Sequence, residues 1–184
     1  MNTLDRHASP LGTLVAPARR ISDRAAVFLS VTQAVVGLAL SQWGIRFDGF
    51  LDVHRAAAAT AGSALVDQFV ALPIAAGAGW LLLRLWRVRM SLGGVFRLFG
   101  VARIPLVAAA PLVLTMPTNL LEAPTGGMLF ASIGALIGIV WMVAILTAGV
   151  RDAGSLRGGR LALVVGTVII GAEFASKMAL AAAG

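Results

Sequence analysis

Glu173 and Lys177 stand four residues apart in the apolar run Leu161 to Ala183, which is otherwise uncharged. On a helix this spacing puts carboxylate and ammonium on one face with the acid first, the order that pairs best. Ionisable groups in so apolar a setting are costly, and the first chemistry to consider is an intramembrane polar site passing a proton or small ion. The alternative is structural. Lys177 lies within about two helical turns of the end of the run and can extend its ammonium to the interface, leaving Glu173 in a packed, hydrogen-bonded niche.

A second cluster occupies GIRFDGFLDVHR, where Asp48 and Asp52 are four apart and His54 follows. Two carboxylates and an imidazole are metal-ligand types, but a site built on them needs further ligands that this stretch lacks. Phe47, Phe50 and Leu51 fall on one helical side, so the stretch is expected to be an interfacial helix with solvated charges. Asp67, near the start of an apolar run, suits a helix dipole. No metal or other cofactor is expected. His7 and His54 both lie outside the apolar runs, and cysteine is absent, which removes the parts for a bis-histidine haem, a Ser-His protease or a thiol nucleophile. No P-loop or GxSxG is present either, so no enzymatic activity is expected.

The elements that must position these residues are set by composition. Hydrophobic residues make up 59% and charged residues 12% of 184, and the mean hydropathy is +0.91, more apolar surface than a soluble domain of this length can hide. The expected fold class is all-α, a polytopic membrane protein with a bundle of five transmembrane helices. Spans are read at about 25–45, 62–84, 103–121, 128–150 and 161–183, forming one membrane domain over 25–184. The third is bounded by Arg103 and Glu122 and contains Pro105, Pro111 and Pro117, so it is expected to be kinked or partly re-entrant. No apolar run opens the chain, and no cleavable signal peptide is expected. Residues 1–24 instead read as a cytoplasmic amphipathic segment, a short surface helix with Leu11, Leu14, Val15, Ala18 and Ile21 on its apolar side.

The net charge of +7 comes largely from arginines placed between the apolar runs. Basic residues in short loops favour the cytoplasmic side. With the N-terminus inside, five spans put Arg6, Arg19, Arg20, Arg24, Arg84, Arg87, Arg89, Arg97, Arg103, Arg151, Arg157 and Arg160 in the cytoplasm, and only Arg46 and Arg55 outside. The C-terminus is then external. Arg84, Arg87, Arg89, Arg97 and Arg157 are candidate contacts for anionic headgroups or a protein partner, and nucleic acid is not an expected partner. Gly134 and Gly138 form a GxxxG that lets helices approach closely, within the bundle or between copies in a homo-oligomer.

SLGGVFRLFGVARIPLV resembles the Yip domain family, multi-pass membrane proteins first recognised as partners of Ypt/Rab GTPases. In that family a Gly-Gly pair, an aromatic, a basic or polar stretch and a proline lead into the third span; Gly93, Gly94, Phe96, Arg103 and Pro105 match that order. WMVAILTAGVRDAGSLRGGRLALVV is similar to the family's fourth-span ending, with Trp141, Gly149, Val150, Arg151, Ser155 and Arg160 in the matching places. PLGTLVAPARRISDRAA is similar to the Pro-containing segment before the first span of bacterial members. The resemblance implies a five-helix bundle that organises membranes or scaffolds other proteins without catalysis. The long polar N-terminal domain of the trafficking members has no counterpart here, so GTPase binding is not carried over. Arginine- and alanine-rich composition suits a bacterial inner-membrane protein. The expected function is a membrane scaffold or accessory subunit, and the competing expectation is a small transporter or channel-like protein using Glu173.

Overall fold

The computed structural model describes residues 21–47, 49–55, 60–116 and 126–183. The proposed surface helix within residues 1–20, Asp48, Pro117 and Glu122 lie outside them. Five helical segments are long and apolar enough to cross a membrane, which establishes an all-α polytopic fold. Helix α1 is Asp23–Ser41, α2 is Ala61–Leu85, and the third segment is divided into α3 (Leu92–Ala102), α4 (Ile104–Ala109) and a 3-10 turn, Ala110–Thr115. Helices α5 (Gly126–Gly154) and α6 (Gly158–Ala183) follow. Between α1 and α2, Ile45–Arg46 (β1) pairs antiparallel with His54–Arg55 (β2).

Hydroxyl residues start three of the helices by accepting an otherwise orphaned backbone N–H. Ser22 Oγ accepts from Ala25 at 3.3 Å, Thr60 Oγ1 from Ser63 at 3.2 Å and Ser91 Oγ from Gly94 at 3.0 Å. The cap at Ser91 begins the third segment at Leu92, not at Arg103. Arg97 and Arg103 therefore belong to a helix-bearing segment and not to a loop, and Gly93 and Gly94 lie in its first turn. Three other boundaries move. The first apolar helix ends at Ser41, so Ile45 is a strand residue, while Arg151 and Arg160 fall inside α5 and α6.

The expected kink is present and has two causes. Pro105 and Pro111 each lack the N–H that would bond four residues back, so the Val101 and Val107 carbonyls lose their α-helical donors. The chain responds with a break at Arg103 and a tighter 3-10 turn that closes with Met116 N–H on Val113 O at 3.0 Å.

Helix α5 runs antiparallel to the third segment, and this is where the GxxxG pair is used. A methyl on Gly138 would meet the Pro105 carbonyl oxygen at 3.2 Å, and one on Gly134 would strike Leu112. Close backbone approach inside the bundle is thus what these glycines provide. Helices α2 and α6 share the most extensive packing, and the interior is completed by Leu72, Leu83, Phe99, Met142, Leu146 and Val164. Phe28, Leu85, Phe130 and Ile170 point outward, as lipid-facing positions do.

Candidate functional site

The segment between α1 and α2 is not an interfacial helix. It folds into the bundle with Ile45, Phe47 and Phe50 fully buried, and Phe50 stacks on Phe99 with ring centroids 4.6 Å apart. Phe99 is the eighth residue of the 24-residue third segment, so the loop enters from one end of the bundle and passes its middle. Aromatic and branched residues replace solvent around the loop, since Phe50 belongs to the same buried cluster as Phe99, Leu106 and Val168. A single amphipathic helix could not bury both of its faces in this way.

Non-helical backbone at such depth must have its polar groups satisfied by protein. Arg103, twelfth in the third segment and only 3% exposed, donates from Nη2 to the Gly49 carbonyl at 3.1 Å and lies over the Phe47 ring at 5.4 Å. From the other side Glu173 Oε2 accepts the Leu51 amide at 2.7 Å. Glu173 also contributes electrostatically to Arg103. Gly49 fits between them because a side chain there would overlap the Glu173 carboxylate. One arginine and one glutamate from different helices therefore hold three consecutive loop residues.

The outer part of the loop is tied by further pairs. Arg46 donates from Nε and Nη2 to Asp67 Oδ2 at 2.9 and 2.6 Å; Asp67 is the seventh residue of α2, beyond its first turn, so it serves as an ion-pair partner and not as the helix-start acid expected. Arg55 caps the open end of the 3-10 turn, with Nη1 on the carbonyls of Leu114, at 3.1 Å, and Met116. Lys177 bonds Asp52 at 2.5 Å and stands 3.7 Å from Glu173, so the four-residue spacing is real but the lysine's nearer partner is in the loop. His54 Nδ1 is 3.4 Å from Asp52 Oδ1. Among the described residues no group of three potential ligands is gathered for a metal.

Hydrogen bonding from His54, followed by the bond and charge of Lys177 and opposed by burial, holds the Asp52 carboxyl well below the usual carboxylate range. A depressed folded-state value means that the stabilisation is complete above the ordinary carboxylate pKa of about 4 and is lost as pH falls below it. Between pH 5 and pH 3 the melting temperature of the native protein should therefore fall more steeply than that of Asp52→Asn. Parallel curves would show that Asp52 does not anchor the loop.

At the opposite end of the bundle the remaining candidates surround the turn between α2 and α3. Helix α2 ends with Arg87 at a left-handed φ of 60° and with Val88 N–H on Leu83 O at 2.9 Å, a closure that usually takes glycine. Arg84, which sits over Trp80 at 4.8 Å, Arg87 and Arg89 line a recess of about 740 Å³. Arg89 and Arg97 share an adjoining recess of about 360 Å³ with Asp152 and Gly149. Arg157 is exposed on the α5–α6 turn and lines neither recess. Of the family-motif positions, Arg103 and Pro105 are at the break, 11 or more residues from the start of their segment at Leu92. Sequence reasoning placed Arg103 in the basic loop and gave no role to Gly49; it also missed Gln33 and Gln68, two carboxamides inside apolar runs whose polarity was the available signal.

The fold and these sites define a five-segment integral membrane protein whose loop is clamped inside the bundle and whose Arg84, Arg87, Arg89 and Arg97 gather at the other end. Compared with protein-family models, with curated proteins and with solved structures, the chain matches none.

Proposed function

We propose that this protein is a non-catalytic membrane scaffold or accessory subunit whose arginine-rich end seats on anionic headgroups, with a second membrane protein or another copy as its partner. The observation that carries this reading is the pair of recesses lined by Arg84, Arg87, Arg89 and Arg97. Arg87 and Arg89 are exposed and have no ion-pair partner among the described residues. The basic bias of the loops supports a cytoplasmic placement for this end and an inner-membrane location. The likeness of SLGGVFRLFGVARIPLV to the Yip domain family supports the scaffold role. Glu173 is committed to Leu51 and Lys177, which favours a role in holding the loop over one in carrying an ion through the bundle.

Each basic residue near an anionic surface is worth about 1 kcal/mol, so three together contribute about 3 kcal/mol. Phosphatidylglycerol should therefore be retained over phosphatidylcholine when the protein is extracted in mild detergent. Simultaneous replacement of Arg84, Arg87 and Arg89 by glutamine should cut that retention at least about ten-fold, and high salt should do the same. Equal retention of the two lipids by the native protein, read by native mass spectrometry, would overturn the proposal.

A further inference from the structure

A lateral cleft of about 160 Å³ opens between α1, α2 and α3, away from both the clamped loop and the arginines. Its walls are apolar, with Val31, Phe69, Leu72 and Phe96 among them. Val31 and Phe69 are half exposed at its rim, so the cleft faces the acyl-chain region and not water.

One polar side chain in its wall lacks a hydrogen-bond partner, and one backbone carbonyl there loses its regular helical donor. Gln68 is only 7% exposed and its carboxamide has no hydrogen-bond partner among the described residues. It lies flat over Gly37, where a methyl would overlap it. Five residues further, Pro73 lies inside α2 and has no N–H, so the carbonyl of Phe69, the residue after Gln68, loses the donor that a regular helix would supply. Both Phe69 and Pro73 line the cleft. Ser30, the other polar residue there, spends its hydroxyl on Ala26 O at 2.9 Å. The wall therefore presents an amide able to donate and a carbonyl needing a donor, a combination that a single hydroxyl completes.

Depth narrows the class of ligand. Gln68 is the eighth residue of α2, about 10 Å from the helix end. A helix of 25 residues overhangs the roughly 30 Å hydrocarbon layer by only a few Å at each end, so Gln68 lies beneath the headgroup zone. A phospholipid keeps its charged headgroup at the interface, whereas an uncharged lipid alcohol sinks its hydroxyl into the hydrocarbon at far lower cost. We infer that this cleft binds an uncharged, hydroxyl-bearing lipid of the diacylglycerol class. Its hydroxyl accepts from Gln68 and donates to the Phe69 carbonyl, and its chain lies along Leu72 and Phe96.

The test uses the full chain in phosphatidylcholine nanodiscs and two probes with the same diazirine-bearing acyl chain, one on diacylglycerol and one on phosphatidylcholine. The diacylglycerol probe should label peptides containing Val31, Phe69 or Phe96, in competition with unlabelled diacylglycerol. Gln68→Leu should reduce that labelling about ten-fold, and Val31→Trp, which covers the rim, should remove it. Pro73→Ala returns an internal donor to Phe69 and should weaken labelling several-fold in a protein that folds at least as well, so the inference stays testable if Gln68→Leu is unstable. Equal labelling of the same peptides by the phosphatidylcholine probe would show a bulk-lipid crevice and overturn the inference. So would diacylglycerol labelling that survives both Gln68→Leu and Pro73→Ala.

Discussion

Replacing Arg103 by methionine should destabilise the protein by about 3–5 kcal/mol, the cost of removing one partner from a buried charged arrangement. The guanidinium is 3% exposed, and its loss leaves the Gly49 carbonyl without its donor and the Phe47 ring without its cation. Glu173, partly buried, then keeps Lys177 at 3.7 Å but loses the field of the guanidinium. Methionine keeps an unbranched apolar stem but is two atoms shorter, so the penalty combines lost charge and hydrogen bonding with the space the guanidinium filled. Equilibrium unfolding in mixed micelles measures it directly. Arg89→Met, at an exposed position beyond the end of α2, should change stability by less than about 0.5 kcal/mol and serves as the control. Equal effects of the two substitutions would mean that Arg103 does not hold the loop.

Glu173→Leu is expected to cost about 3 kcal/mol, because it strands the Leu51 amide in an apolar niche and removes the carboxylate that acts on Arg103. Glu173→Gln keeps an oxygen for that amide and loses only the charge, so about half the penalty should return. The Arg103→Met and Glu173→Leu penalties should fall short of additivity by more than about 0.5 kcal/mol, since both release the same three loop residues. Loop accessibility gives a second reading. A cysteine introduced at the fully buried Phe50 should resist maleimide in an otherwise native chain and react in either variant. Protection of Phe50→Cys in both variants would place the loop's anchor elsewhere.

The clamp also shows what was legible before the fold was known. The Glu173–Lys177 spacing identified a polar site inside an apolar run, and the packed niche weighed for Glu173 is what Leu51 completes. The niche's other wall was not legible. Nothing local to residues 45–55 distinguishes a hairpin drawn into a bundle from an amphipathic helix on its surface, since both need Phe47 and Phe50 to leave water. Arg103 was misplaced for a related reason. An arginine between apolar stretches ordinarily marks a span's end, because a lone guanidinium in hydrocarbon is costly.

Residue composition and the order of apolar runs were enough by themselves to determine a helical membrane protein with five spanning segments. Transfer of a 20-residue stretch into lipid is a sum of local contributions, and backbone hydrogen bonding within the stretch needs no distant partner. Only the tertiary structure decided where the third segment begins, that it breaks at Arg103, and that the first interhelical loop lies inside the bundle. Those outcomes depend on a carbonyl at Gly49 and a carboxylate at Glu173, residues 54 and 122 positions from Arg103 and Leu51 respectively. A buried charge is tolerated when such partners reach it, and that condition belongs to three-dimensional packing.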